Sequence, residues 1–401
     1  MSHQRINISR RDWMKAALAG AGAALGTRLA GKEWFGVAAA DPVKKAAVLS
    51  IFLEGGFNAV FPSADSFLAG GTFGMTSTGI KDLGNGLRVD APTIGTLDDW
   101  SLGHMAAIGN RHGAIDHISA QKNNFLGDSG SFVNRLAAAI GGSAAYKAVA
   151  LESLPAGVTA SEGGVSIQLL RTMSDVSTVL GLGPIDYNRP ARKAAGGAIA
   201  HSQAMSQADT KKNATSMSSF AGAYPTLTDS LARPPLALDV NAVAQAYGTT
   251  SGASLDTMET KLAAAELMIR AGTNVVTLSD TGWDTHGDST GTTVRNKIQG
   301  ILPAIKNFLL RLRSEPNLAA MNISVIIHGD FARSLPTGDH APALTALVIG
   351  PNVKVGTTGK VSANVTLPDG TGASKEMWSY MAAISKVAMN PFGDNPHPLV
   401  L

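Results

Sequence analysis

The chain has 401 residues, 44% of them hydrophobic, which is enough apolar material for a sizeable core, excludes a disordered chain and points to one large domain. Its 44 glycines, its low aromatic content of 5% and the lack of any fixed-period repeat exclude a coiled coil or a solenoid. The formal charge is +3, but residues 1–40 hold six bases against Asp12 and Glu33; the remaining 27 bases and 28 acids leave a net near −1, with no electrostatic case for a nucleic-acid partner.

The N-terminus accounts for that concentration of charge. Residues 9-SRRDWMK-15 resemble a twin-arginine export signature, followed by the apolar 16-AALAGAGAALG-26 and a small-residue stretch, 38-AAA-40. This pattern predicts a signal peptide over residues 1–40, cleaved before Asp41, and a periplasmic, cell-surface or secreted mature protein. The apolar run is too short and too rich in Ala and Gly to leave a stable membrane span. With no cysteine in the chain, an exported form is not held by disulfides and no site uses thiolate ligands.

The run 46-AAVLSIFLEGG-56 predicts a buried strand ending in a tight turn. Ligands gather at the C-terminal ends of strands in open α/β sheets, so residues 54–58 are a candidate site edge. A further strand is expected within 104–119, a short helix over 132–142 and another strand over 146–152. Residues 185–252, rich in Ala, Ser, Gln and Thr, are expected to be an inserted helical and loop region within a domain spanning 41–401.

The second half is more regular. Leu255, Met258, Leu262, Ala265 and Ile269 form a helical stripe that Gly272 would stop. A strand over 274–279 follows, then a helix over 292–313, strands over 322–334 and 344–351, and a last helix over 375–389. This alternation predicts an α/β fold with a mostly parallel central sheet and helices on both faces.

Three clusters of chemistry-bearing residues follow apolar runs in this half: Asp284, His286 and Asp288 in 282-GWDTHGD-288; His328, Asp330 and Arg333; and Asp339 with His340. Carboxylates and neutral imidazoles together suit Zn, Mn, Mg or Ca, and neighbouring strand-end loops can bring them to one point. Taken singly, an Asp-x-His pair is an ordinary turn, and Asp330 with Arg333 an ordinary ion pair. Their shared placement behind strands favours a divalent metal site. The segment 127-GDSGS-131 looks like the Gly-Asp-Ser block of some serine esterases. It neither follows the first strand nor has a C-terminal Asp-x-x-His partner, which disfavours that mechanism.

The order of 53-LEGG-56, 58-NAVFP-62, 267-LMIRAGTNVVTLSDTGWDTHGD-288, 325-VIIHGDFARS-334 and 339-DHAPALTALVIGPNVKVG-356 resembles the exported DUF1501 family, which is similar to sulfatases and the alkaline phosphatase-like superfamily. The resemblance implies an alkaline phosphatase/sulfatase-like fold and a metal-dependent hydrolase of small anionic phosphate or sulfate esters. By motif match, Asp284, His286, Asp330, Asp339 and His340 would be metal ligands. Arg333 would clamp an oxyanion or orient Asp330. Two departures stand out: the carboxylate that family members carry after the paired glycines is missing, with Phe57 and Asn58 there instead, and the family's Arg-Ser-His-Phe stretch is 122-KNNF-125. Ser119, Ser129 and His117 are the nearby groups that would substitute, with Ser129 the candidate nucleophile. The alternative these losses imply is an inactive relative that binds within the cell envelope or forms part of it.

Overall fold

The computed structural model describes residues 45–57, 61–64, 77–142, 144, 146–162, 165–180, 197, 200–202, 204, 238–334, 337–360, 372–393 and 397–401. The expected signal peptide and most of the expected insertion at 185–252 lie outside them. Among the described residues, no helix is long and apolar enough to cross a membrane.

In chain order the main elements are β1 (Ala46–Leu53), the hairpin β2 (Ile80–Gly84) and β3 (Leu87–Asp90), α1 (Asp99–Gly103), β4 (Met105–Arg111) and α2 (His117–Phe125). A tight hairpin, β5 (Leu126–Gly127) and β6 (Gly130–Ser131), leads to α3 (Phe132–Ile140), β7 (Ala148–Leu151), β8 (Ser161–Glu162), β9 (Val165–Leu170) and α4 (Met173–Val179). The rest comprises α5 (Val240–Ala246), α6 (Met258–Arg270), β10 (Val275–Asp280), α7 (Thr292–Ser314), α8 (Pro316–Ala319), β11 (Asn322–Gly329), β12 (Ala343–Ile349), β13 (Gly356–Thr357) and α9 (Ser374–Ile384).

Nine strands form one sheet in the order β13-β4-β12-β11-β1-β10-β7-β9-β8. The five strands β11, β1, β10, β7 and β9 run parallel to one another, whereas β12 runs antiparallel to both β11 and β4 and the edge strand β8 antiparallel to β9. The fold is α/β, as expected, with one central strand reversed. An apolar run looks the same in either direction, so the buried sequence of β12 carries no sign of its polarity.

β1 shows how the two faces are built. Ala47, Leu49, Ile51 and Leu53 pack into a core with Leu262 and Leu267 of α6 and Val294, Ile298 and Ile305 of α7. Val48 and Phe52 point the other way, against Leu136 of α3 and Trp378 of α9. That is the two-residue period of a strand buried on both faces. The described end of the inserted region joins the first core: Val240, Val243 and Tyr247 pack there, and the Tyr247 hydroxyl donates to buried Glu266 at 2.8 Å.

Two buried histidines make this core sensitive to acid. His328 in β11 is fully buried, and burial pushes its imidazole down to about 3 from the ordinary 6.5. Its Nε2 meets the Ser50 hydroxyl at 3.1 Å. Burial likewise holds His112 at about 4. Unfolding frees both rings to bind protons below pH 6.5, so their share of stability is complete above that pH and is lost as pH falls toward 4 and then 3. Melting curves should therefore move down between pH 7 and 4.5, and less steeply in a His328→Leu variant; parallel acid slopes for the two proteins would contradict this.

Candidate metal centre

Register places the site. In the ladders of β1 with β10 and β11, Leu53 lies opposite Asp280 on one side and Gly329 on the other. The loops after these three strands therefore leave the sheet at one edge. The backbones touch there: Trp283 N–H donates to the Glu54 carbonyl at 3.0 Å, and a Cβ on Gly55, whose φ is +114°, would lie 2.2 Å from the Asp284 nitrogen. Only glycine permits both that dihedral and that approach.

Four residues converge at this edge, two from the loop after β10, one from the segment between β11 and β12 and one from the start of α2. Ligand atoms of His117, Asp284, His286 and His340 all lie within 4.8 Å of one another, the His286 and His340 Nε2 atoms at 2.8 Å. His117 is the first residue of α2, where Asp116 caps the helix by accepting from Ser119 N–H at 2.9 Å. His340 stands in the segment entering β12 and is bridged to Arg333. Phe331, fully buried, supports two of the rings: His340 stacks on it at 3.9 Å between centroids and His117 leans on it at 4.9 Å.

The hydrogen bonds behind these rings assign their protons. His340 Nδ1 lies 2.6 Å from the Ile115 carbonyl, which only accepts, so Nδ1 carries the hydrogen and Nε2 presents a lone pair to the cluster. His117 Nδ1 lies 2.5 Å from Asp330 Oδ2, which turns its Nε2 toward Asp284, 3.7 Å away. Carboxylate or carbonyl behind, imidazole in front, open nitrogen toward a common point is how metal-ligating histidines are oriented. Three imidazoles and one carboxylate fit a divalent ion, and His340 is held below its ordinary pKa mainly by burial, with Arg333 and the neighbouring imidazoles adding to it.

The expected ligands divide into two layers. Asp284, His286 and His340 are in the cluster; Asp330 stands behind it. Its carboxylate is fully buried, takes Gly55 N–H at 3.3 Å and Gln121 Nε2 at 3.4 Å besides His117, and burial raises its pKa against the pull of His117. Asp339 is exposed and stabilises its own loop, accepting from the Thr337 hydroxyl at 2.6 Å. Asp288 accepts from Val294 N–H at 3.0 Å and so caps the start of α7.

Arg333 is 1% exposed and its fork is committed to the protein. Nε donates to the Gly55 carbonyl at 3.0 Å, Nη1 to the Gly338 carbonyl at 2.8 Å and Nη2 to Asp284 Oδ1 at 2.5 Å. It thereby ties the three loops together and orients the Asp284 carboxylate rather than Asp330. A lysine cannot reproduce three directed bonds; Arg333→Lys is expected to lower stability by about 1–3 kcal/mol, read from denaturant melts, and unchanged melts would contradict the assignment.

The expected nucleophile lies elsewhere. Ser129 is exposed at the tip of the β5–β6 hairpin, which follows the C-terminal end of α2, whereas His117 is that helix's first residue, about 12 Å away along the helix axis from its last. Nor does the Asn pair of α2 face the cluster. Asn124 donates to the Asp330 carbonyl at 2.8 Å and accepts from Asn110 at 2.8 Å, while Asn123 donates to the His112 carbonyl at 2.8 Å. His117 is the group that joins Asp284, His286 and His340, and Asp116 directly before it, a residue type favoured at helix N-caps, is the sequence feature that marks its place at a helix start.

Among solved structures, the chain is similar to an alkaline phosphatase from the Antarctic bacterium TAB5, at 12% identity and a TM-score of 0.33, over 87% of this chain and 100% of that one. It is also similar, at 12% identity and a TM-score of 0.30 over the same shares, to a point mutant of that enzyme with Mg bound in its M3 site. No curated protein matches. A family model described as a protein of unknown function, DUF1501, matches residues 151–366, which is more than half of the sequence and takes in the GWDTH loop, β11 and β12; the chain belongs to the DUF1501 family.

Proposed function

We propose that this protein is an exported, divalent-metal-dependent hydrolase of small phosphate or sulfate esters. The observation that carries this is the convergence of His117, Asp284, His286 and His340 within 4.8 Å at the strand-end edge, with two rings oriented from behind. Three nitrogen donors favour a borderline ion such as Zn over the harder Mg, Ca or Mn. A bound ion would supply Lewis-acid charge to an ester oxygen. The chain supplies the rest: Asp330 and the Ile115 carbonyl hold imidazoles in the binding tautomer, and Arg333 holds Asp284. His286, with 54% of its side chain exposed, forms the open side through which an anion arrives. Ile115 and Ile118, exposed by 65% and 61%, flank His117 and give an apolar alcohol group a surface to lie on. The pair 10-RR-11 in its signal-like context supports export.

A second reading, an inactive relative with a binding role in the envelope, is favoured by the committed fork of Arg333 and by the cluster itself, in which none of the four residues carries a hydroxyl. Turnover of aryl phosphates and aryl sulfates by metal-loaded protein separates the two. Hydrolysis that disappears in Asp284→Ala and His286→Ala supports the hydrolase; metal binding without turnover of either ester class supports the binding role.

A further inference from the structure

Behind the GWDTH loop lies an ionic group, built on a buried lysine and two partly exposed carboxylates, that the cluster does not use. Lys261 in α6 is 1% exposed. Its ammonium donates to the Ser279 carbonyl at 2.7 Å, touches the Glu152 carboxylate and lies 3.8 Å from Asp280 Oδ1. Asp280 Oδ2 in turn accepts from the indole N–H of Trp283 at 2.7 Å. Trp283 is fully buried, carries the ammonium of Lys297 5.5 Å over its ring and directly precedes Asp284. Glu152, just past β7, has a φ of +72°, a conformation unfavourable for a residue other than glycine. Packing alone does not explain the group, because apolar residues of similar volume fill such a space at least as stably as buried ions.

We propose that Lys261, acting through Asp280 and Trp283, is a positioning residue that fixes the direction in which the chain leaves β10, so that Asp284 and His286 meet His117 and His340. The ammonium neutralises and orients Asp280, Asp280 holds the indole, and the indole sets the backbone that donates to Glu54 and carries Asp284. The consequence for metal binding rests on the proposed metal centre; the consequence for the loop does not.

The test uses the full chain and three variants: Lys261→Met, Lys261→Arg and Trp283→Phe, the last removing one hydrogen bond while keeping an aromatic ring. Amide hydrogen exchange is followed over 281–291 and in β1 and β11, alongside binding of Zn and the visible spectrum of the Co-loaded protein. Lys261→Met and Trp283→Phe should speed exchange in 281–291 with β1 and β11 unchanged, weaken Zn binding roughly 10- to 100-fold and alter the Co spectrum. Lys261→Arg should recover part of each effect. Lower melting temperature with wild-type loop exchange, metal affinity and spectrum would overturn the proposal, leaving Lys261 a structural ion only. Should Lys261→Met fail to fold, Trp283→Phe decides. Should the wild type bind neither Zn nor Co, the metal centre fails, and loop exchange alone decides the positioning role.

Discussion

His117→Ala is expected to abolish tight divalent-metal binding, although no strand-end motif of the second half contains this residue. Asp330→Asn, one layer behind, should weaken binding roughly 10- to 100-fold, the usual consequence of losing the carboxylate that orients a ligating imidazole. The difference follows from geometry: His117 contributes a nitrogen to the cluster, whereas Asp330 bonds to its far side. Competition against a chromophoric chelator measures both. Equal losses in the two variants would mean that Asp330 is itself a ligand; no loss in His117→Ala would remove α2 from the site. Binding should also weaken on acidification, because each imidazole must be deprotonated to bind.

Gly55→Ala should damage the site and the fold together. The new methyl would stand 2.2 Å from the Asp284 nitrogen and 2.5 Å from the Trp283 carbonyl carbon, both backbone atoms, at a φ of +114°. The dihedral alone costs roughly 1–3 kcal/mol, and backbone cannot rotate away as a flexible side chain does, so the GWDTH loop must shift off β1. Gly248→Ala isolates the dihedral contribution, since its φ is +72° and nothing lies within 4 Å of the added atom. Gly55→Ala should lose more stability than Gly248→Ala and should also lose metal affinity, which Gly248→Ala should keep. Similar melting curves for the two variants, with metal binding intact in both, would contradict the close approach.

Much of this architecture is legible in the amino acids because the central strands are buried on both faces. β1 is apolar but for Ser50, β10 and β11 carry the apolar stretches 275–278 and 323–327 interrupted only by Thr277 and Ser324, and the stripe of α7 has a clear helical period, so those elements emerge from patterning alone. α2 does not: 117-HISAQKNNF-125 exposes Ile118 and buries Gln121 and Asn124, the reverse of the usual arrangement, because its buried amides serve the strand ends rather than an apolar core. The direction of β12 was invisible for a different reason, since burial of all its residues sets composition and not polarity.

The site divides the same way. Asp284, His286 and His340 announce themselves by residue type and by their position behind strands. What distinguishes Asp330 from a ligand is only the direction of its carboxylate, fixed by Gly55 and Gln121 from distant parts of the chain, and sequence spacing holds no record of it. Asp339 reads like a ligand because it adjoins His340, yet successive residues in extended backbone point to opposite sides, and its carboxylate turns back to Thr337. His117 is 167 positions from Asp284 and becomes its neighbour only because β4 and β12 bring α2 to the same edge of the sheet.

The most direct measurement is elemental analysis of the wild-type protein and of a His286→Ala, His340→Ala double variant, both purified without chelators. The expected result is a divalent ion retained by the wild type, near one per chain, and lost from the double variant. A wild type that retains no divalent ion, even after incubation with Zn or Mn, or a double variant that retains as much as the wild type, would contradict the assignment of the cluster as a metal centre.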